Sequence, residues 1–304
     1  MGFRVVLVEN ETKIQLRLNN LIVQKETKEI WIPLDDIMMI VIDNMKITIT
    51  TRLMCALAMH NVGLVICDQD HHPIGYYSSY DNYSRISKSI QYQIRYSQVS
   101  YDNLWKDIVK NKISNQRKVL IALNSIKENI DKLVIYESEV ENGDLTNREA
   151  HAAKIYFNAL MGSSFSRGNK DILLNSGLDY GYAIIRSYLA KLCVGYGLNS
   201  QIGIHHRNEY NRFNLVDDLI EPFRPIVDYY AVHLLEGEKF FEREHRIKLV
   251  NILNHKMVYK DKKMYLCNVL EEYVASYAAM LAGRQKGIVV YPNIELYMGE
   301  KDEI

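Results

Sequence analysis

Residues 86–123 read ISKSIQYQIRYSQVSYDNLWKDIVKNKISNQRKVLIAL, and the character of the chain changes at this stretch. The stretch contains no Gly or Pro, and its apolar residues recur every three or four positions, which is the spacing of an amphipathic helix. We therefore expect a long helical segment here, and we expect different structure on its two sides.

The part of the chain before this stretch has the pattern of β-strands. Short segments rich in Val, Ile and Leu are separated by polar pairs such as Asn19 and Asn20, which predicts strands joined by turns. The exception is TTRLMCALAMHNVG at 50–63, where apolar residues at helical spacing precede a glycine. This segment predicts one helix among the strands.

Helical patterns continue after residue 123, apart from KMVYKDKKMYL at 256–266, which predicts a hairpin. The sequence thus predicts an α+β protein with two domains. A small β-sandwich-like domain with one helix spans residues 1–84, and a larger all-helical domain spans residues 85–304.

Composition limits the class of protein. The 304 residues include 37 basic and 37 acidic side chains, so a surface for a polyanion has to come from local clustering. The four cysteines show no C-x-x-C spacing, which argues against a zinc ribbon or a disulfide framework. There is no signal-peptide pattern and no apolar run near the roughly 18 residues of a membrane span, so we expect a cytoplasmic protein.

The segment DLTNREAHAAKIYFNALMG at 144–162 contains the first candidate site residue, Glu149. Thr146 and Glu149 have the spacing of a capping box, in which the glutamate reaches back to the amide of the N-cap residue. The alternative is a functional carboxylate, because the alanines around Glu149 leave room for a bulky ligand. Both readings stay open on spacing alone.

The segment HHRNEYNRFNLVDDLIEPFRP at 205–225 collects groups that can bind a metal. Asp218 and Glu221 are three apart and share one helix face, and Pro222 predicts that this helix begins close to Asp218. The loop after His206 is long enough to fold its imidazole over these carboxylates. One histidine with carboxylates suits Mg²⁺ or Mn²⁺ better than zinc. The alternative is an acidic helix start with surface histidines.

A basic run extends from Arg85 to Lys132, with ten Lys or Arg against four Asp or Glu. Tyr and Trp residues are interleaved with these cations. Basic side chains can neutralise phosphates, and aromatic rings can stack on unpaired bases. The alternative is a solvated helix face whose aromatic residues lie in the core. The chain has no P-loop, dinucleotide-binding turn or nucleophile elbow, which weakens nucleotide-binding and serine-hydrolase readings.

Three segments together resemble the CRISPR-associated integrase of the adaptation module, the nuclease that inserts new spacers into CRISPR arrays. They are TNREAHAAKIYF at 146–157, NSGLDYGYAIIRS at 175–187 and GIHHRNEYNRFNLVDDLIEPFRP at 203–225. Their order and the strands-then-helices layout extend the resemblance over essentially the whole chain. The form is most similar to members that accompany type II systems.

The resemblance implies a metal site and a reaction. By motif, the metal-binding glutamate, histidine and final acid of the family fall on Glu149, His206 and Glu221, with Asp218 as a further ligand. The doubled histidine leaves His205 as an alternative to His206. The implied cofactor is Mg²⁺ or Mn²⁺, and the implied reaction is attack of a DNA 3′-hydroxyl on a phosphodiester at the end of a CRISPR repeat.

The resemblance also implies partners. These are double-stranded DNA, as protospacer and CRISPR repeat, a second copy of the chain bound through the β-domain, a small ferredoxin-like adaptation protein, and other type II adaptation proteins. If captured DNA follows the basic run, the candidate phosphate contacts are Arg95, Lys110, Lys112, Arg117 and Lys118. Two other functions stay open: a non-catalytic DNA-binding scaffold, and a metallohydrolase of small substrates.

Overall fold

The computed structural model describes residues 4–24, 28–80, 83–169, 171–284 and 290–299. Strands occupy the first part of the chain, as expected. They are β1 (Arg4–Val8), β2 (Lys13–Arg17), β3 (Asn20–Gln24), β4 (Glu29–Pro33), β5 (Ile37–Ile42), β6 (Thr48–Ile49), β7 (Gly63–Cys67) and β8 (Pro73–Tyr77). The predicted helix among them is confirmed as α1 (Thr51–Met59), and the Thr50 hydroxyl caps it by accepting from the Leu53 amide.

These strands form two four-stranded sheets with a common core. The first sheet has the order β1-β5-β7-β8, with β5 parallel to both neighbours and β8 antiparallel to β7. The second has the order β4-β3-β2-β6 and is antiparallel except between β2 and β6. Apolar side chains from both sheets and from α1 pack together, which agrees with the predicted sandwich-like layout.

Strand β5 connects this first core to the helical part. All six of its residues are buried, with Ile40 and Ile42 packed into the core of the sheets and Met39 and Val41 packed into the core of the helices. Burial on both faces explains why its sequence is a continuous apolar run without alternation.

The second part of the chain is mostly helical. Its helices are α2 (Ile86–Arg95), α3 (Gln98–Ala122), α4 (Lys127–Glu139), α5 (Arg148–Met161), α6 (Leu173–Gly195), α7 (Asn214–Ile220), α8 (Arg224–Leu235), α9 (Arg243–Asn251) and α10 (Leu266–Leu281). The long helix predicted for 86–123 is interrupted between α2 and α3, because the Ser97 hydroxyl accepts from the Ser100 amide and starts a new helix.

The prediction of an all-helical second part is wrong in one respect. The expected hairpin is present as β9 (Lys256–Tyr259) and β10 (Lys262–Tyr265), and a further strand, β11 (Tyr297–Met298), pairs antiparallel with β9. The two residues of β11 are too few to give a periodic signal in the sequence. The structure is therefore mixed α+β, with a small third sheet among the helices.

The tyrosine–glycine motif in α6 has a packing explanation. A Cβ atom on Gly181 would lie 2.6 Å from Cγ1 of Val227 in α8, so only glycine allows the two helices to approach this closely. The next residue, Tyr182, donates its hydroxyl hydrogen to the buried carboxylate of Asp228, also in α8. The motif therefore joins α6 to the helix that follows the candidate metal ligands.

Polar contacts also join the strands to the helices. The buried Lys191 ammonium in α6 donates to the Met38 carbonyl oxygen of β5 at 3.0 Å, and Arg246 Nε donates to Asp43 Oδ2 at 2.8 Å. The change from strand to helix falls at the predicted place, between β8 and α2, while the division into two domains at residue 84 stays a prediction. In the described part of the chain, no helix is both long and apolar enough to span a bilayer.

Candidate metal centre

Glu149 lies in the first turn of α5, but it does not cap the helix. Instead, the Asp144 carboxylate accepts the backbone amides of Arg148, at 2.8 Å, and Glu149, at 3.0 Å. The predicted capping box of Thr146 and Glu149 is therefore wrong, because Asp144 already satisfies these helix-end amides. The Glu149 side chain remains available for another role.

Asp218 lies on a helix that begins earlier than predicted, and Glu221 follows directly after its end. Helix α7 starts at Asn214 rather than near Asp218, and the turn of 3₁₀-helix Glu221–Phe223 joins it to α8. Pro222 is accommodated in this tight turn, which is why it does not mark the start of α7. Both acidic side chains are buried.

Asp218 organises the loop that carries the histidines. Its Oδ2 accepts the amides of Ile204, at 2.6 Å, and His205, at 3.0 Å, while its Oδ1 lies 2.6 Å from His206 Nδ1. A Cβ atom on Gly203 would come within 2.3 Å of the His206 carbonyl oxygen, which explains the glycine of the G-x-x-H motif. Asp218 therefore orients His206, and its further role as a metal ligand stays a prediction.

The structure distinguishes the two adjacent histidines. The His206 ring presents Nδ1 to Asp218, which leaves Nε2 for a metal, in the arrangement usual for metal-binding histidines. The hydrogen bond that His206 donates to the Asp218 carboxylate raises the pKa of His206 above its ordinary value, against the burial that would lower it. His205 is exposed and stacks on Trp105, with ring centroids 4.4 Å apart. Of the pair, His206 has the geometry of a ligand.

Glu149 and Glu221 converge on one cation, the ammonium of Lys112 in α3. Lys112 Nζ lies 2.6 Å from Glu149 Oε1 and also forms an ion pair with Glu221 Oε2. Arg224 Nε contacts the other oxygen of Glu221 at 2.7 Å. Burial would raise the pKa of Glu221, but Arg224 and Lys112 outweigh it and hold the pKa at about 2. Both glutamates therefore direct an oxygen at the same positive charge.

This arrangement fits a divalent cation. Among the residues that the structure describes, no three His, Cys, Asp or Glu side chains surround one ion position, since the Lys112 ammonium lies where the two carboxylates meet. The ammonium shows that the carboxylates of Glu149 and Glu221 attract a positive charge to this position. Two carboxylates and an imidazole Nε2 form a donor set suited to Mg²⁺ or Mn²⁺.

The sequence analysis did not identify the arginines beside the site. A groove of about 360 Å³ is lined by His206 and Glu221 together with Arg167, Arg186 and Arg224. Each arginine is paired with an acid, namely Asp179, Asp217 and Glu221 respectively. Arg186 and Arg224 lie within the quoted motifs, whereas Arg167 lies outside them. The three arginines come from different segments and meet only in the folded chain.

The five predicted phosphate contacts do not form one patch. Lys112 is buried at the carboxylates, so its assignment as a surface contact for DNA is corrected. Arg117 pairs with Glu137 at 3.2 Å, and Lys118 donates to an asparagine at 2.8 Å. Arg95 is exposed, and Lys110 is half-buried. Side chains two positions apart in an α-helix point in directions that differ by roughly 200° around the helix axis. Lys110 and Lys112 therefore lie on different faces of α3.

Comparisons with known proteins show the family of this chain. A profile described as "CRISPR associated protein Cas1" matches residues 5–260. The CRISPR-associated endonuclease Cas1 of Neisseria meningitidis serogroup C (strain 8013) is 34% identical over 297 residues, which cover 97% of each chain.

Two solved structures share the fold. A casposase bound to integration product has a TM-score of 0.77 and 19% identity, and the match covers 94% of this chain and 92% of that one. A Cas6-RT-Cas1–Cas2 complex has a TM-score of 0.74 and 20% identity, covering 93% of this chain and 35% of that one. With a family profile matched over most of its length and a relative of full-length similarity, this chain belongs to the Cas1 family of CRISPR-associated endonucleases and integrases.

Proposed function

We propose that this chain is a divalent-metal-dependent DNA integrase that inserts protospacer DNA into a CRISPR array. One observation carries the proposal: Glu149 and Glu221, from separate helices, converge on a single positive charge. His206 is oriented by Asp218, and the resemblance of the sequence motifs implies that these three residues are the metal ligands.

The chemistry is a transesterification at phosphorus. The 3′-hydroxyl of the incoming strand attacks a phosphodiester at the repeat end, so one P–O bond forms, one breaks, and the 3′-oxygen of the repeat strand leaves. A bound divalent cation would offset charge on the phosphoryl oxygens and make the attacking hydroxyl easier to deprotonate. Glu149 and Glu221 would supply oxygen ligands and His206 would supply Nε2. The carboxylates form no covalent bond to the substrate.

The arginines of the groove support binding of a polyanion at this place. Arg167 and Arg224 both lie over the ring of Tyr182, at 5.5 and 4.6 Å from its centroid. Their guanidinium groups are therefore held in fixed positions beside Glu221, where they can donate to DNA phosphates without reading bases.

Strand transfer tests the proposal directly. A short labelled duplex with free 3′-hydroxyls is incubated with supercoiled DNA that carries a CRISPR array, with and without Mn²⁺. We expect covalent transfer only with the metal. Glu149→Gln should reduce it by at least 100-fold, because a ligand oxygen is lost, and the exposed Glu128→Gln serves as the control.

Glu149 is a better test position than Glu221. Truncating Glu221 would leave Arg224 without its carboxylate partner and Lys112 with Glu149 alone in a buried site, which costs about 3–5 kcal/mol of stability. If Glu149→Gln is folded and still catalyses strand transfer at the wild-type level, Glu149 is not part of the catalytic site. Binding of the array without transfer by the wild-type protein, in any divalent metal, would instead favour the non-catalytic scaffold.

Two of the predicted cations remain candidates for DNA contact outside the groove, Arg95 and Lys110. Removal of either should weaken binding of unrelated duplexes to a similar degree, because a phosphate contact carries no sequence information. The slope of log K against log salt should also fall by about one per contact. Glu149→Gln should leave both the DNA affinity and the salt slope nearly unchanged. If the double variant Arg95→Glu with Lys110→Glu changed neither the affinity nor the slope, the DNA would follow another face of the protein.

We also propose the partners implied by the family. The Cas6-RT-Cas1–Cas2 complex among the structural relatives supports assembly with an adaptation partner, and the casposase bound to integration product supports a double-stranded DNA substrate. The ferredoxin-like partner rests on the resemblance alone, whereas the pairing of two copies also rests on exposed apolar side chains of the strand part, such as Ile74 of β8.

A further inference from the structure

Lys112 has an unusual environment for a lysine. Its side chain is 9% exposed, and its ammonium contacts two carboxylates from different elements, Glu149 of α5 and Glu221 at the end of α7. Burial alone would lower the pKa of Lys112, but Glu221 and Glu149 outweigh it and raise the pKa above its ordinary value. The group is therefore a cation in the folded protein.

The position of this cation has a consequence for metal binding. Two buried carboxylates without a counter-charge would repel each other and would each lose hydration. The Lys112 ammonium offsets both effects, but it occupies the point at which the oxygens of Glu149 and Glu221 converge. A divalent ion cannot bind the same oxygens while the ammonium stays there, because the two cations would overlap and repel.

We propose that Lys112 is a resident counter-cation, which holds Glu149 and Glu221 together in the metal-free protein and which a divalent ion must displace. The inference rests on the proposed function, because it assumes that these carboxylates are metal ligands. Lys112 thus sets the affinity of the site for metal. It weakens binding of the ion, and in exchange it keeps the site assembled before the ion arrives.

The inference predicts that removal of the ammonium tightens metal binding. In Lys112→Met the carboxylates have lost their competing partner, so the dissociation constant for Mn²⁺ should fall at least tenfold. Lys118→Met is the matched control on the same helix, because its ammonium contacts Asn293 and Glu295 instead. Its Mn²⁺ affinity should stay within twofold of wild type.

Mn²⁺ titrations followed by electron paramagnetic resonance of the free aqua ion measure these constants without any activity assay. Thermal unfolding with EDTA and with Mn²⁺ gives a second readout. Lys112→Met should unfold at a lower temperature than wild type in EDTA, and Mn²⁺ should raise its midpoint by more than it raises that of wild type. If the methionine variant is not folded by circular dichroism, Lys112→Gln takes its place with the same expectation.

The outcomes separate the inference from the proposed function. Unchanged or weaker Mn²⁺ binding in the Lys112 variants, with binding lost in Glu149→Gln, would overturn the inference alone. Two results would overturn the metal site and with it the inference. The first is equal Mn²⁺ affinity in wild type and Glu149→Gln. The second is no Mn²⁺ binding in either wild type or the Lys112 variants. Binding in Lys112→Met but not in wild type would support the inference.

Discussion

Asp228 is a buried carboxylate that lies behind the candidate site. It is 1% exposed and accepts the hydroxyl hydrogen of Tyr182. Burial raises the pKa of Asp228 to about 6, although tyrosine hydrogen bonds and the nearby Arg224 act in the opposite direction. Folding therefore favours the neutral acid over the carboxylate, which makes the stability of the protein depend on pH through this one residue.

The sign of this dependence follows from the raised pKa. The folded state binds the proton more tightly than the unfolded chain, whose value is 3.8. The contribution to stability is therefore fully present below about pH 4 and is lost as the pH rises through 6. A shift of roughly two units corresponds to about 3 kcal/mol.

Replacement of Asp228 by asparagine removes this titration. Between pH 4 and 7, the free energy of unfolding of Asp228→Asn should rise by about 3 kcal/mol relative to wild type, as measured by urea denaturation. Other titrating groups, including Glu221, are present in both proteins and largely cancel in the difference. A difference that stays constant over this range would contradict the assignment.

At the scale of single residues, motifs in the sequence indicated candidate ligands but not their surroundings. Glu149, His206 and Glu221 were identified through motifs, and the structure places the carboxylates of Glu149 and Glu221 on one ammonium. The position of Lys112 was not predictable, because its partners lie in distant segments that only the tertiary fold brings together. The hydrogen bonds from the loop amides to Asp218 were not predictable for a similar reason, since they form only in the folded chain.

Among the elements, the start of α5 has the most direct effect on the site. Asp144 accepts two amides there, including that of Glu149 itself. Asp144→Ala should therefore lower the free energy of unfolding by about 0.5–2 kcal/mol, the usual cost of losing a helix cap. It should also weaken Mn²⁺ binding, because the backbone that carries Glu149 becomes less ordered.

Thr146→Ala is the control for this prediction. The capping box would make Thr146 the stabilising residue, whereas the structure gives that role to Asp144. Urea denaturation gives the free energy of unfolding of Asp144→Ala and of Thr146→Ala, and the two losses relative to wild type are then compared. A larger loss of stability in Thr146→Ala than in Asp144→Ala would restore the capping box and contradict the geometry described above.

Element boundaries were predictable where local chemistry determines them. Thr50 caps α1, a position that threonine favours, and the hairpin of β9 and β10 turns at Lys260 and Asp261, both with positive φ. The start of α7 was misplaced because Pro222 lies in a 3₁₀ turn that tertiary packing stabilises. Propensity alone does not specify such a turn.

At the scale of the whole molecule, an apolar surface remains on the strand part of the chain. A groove of about 420 Å³ is bordered by Met45, Ile66 and Ile74, and the exposed fractions of Met45 and Ile74 are 73% and 71%. Ile74 belongs to β8, which is the last strand in the order of the first sheet. Edge strands with exposed apolar side chains favour pairing with another chain.

We predict that this surface joins two copies of the chain around a two-fold axis, because a self-complementary patch is the commonest route to a dimer. Light scattering should give about 71 kDa, twice the 35.4 kDa of one chain. Met45→Lys with Ile74→Lys should shift the mass to that of a monomer, since two charges cannot be buried unpaired at the interface. Ile126→Lys is the control, because Ile126 is 64% exposed but lies among the helices. A mass of 35.4 kDa for the wild-type protein at micromolar concentration would contradict the prediction, and the apolar groove would then need another explanation.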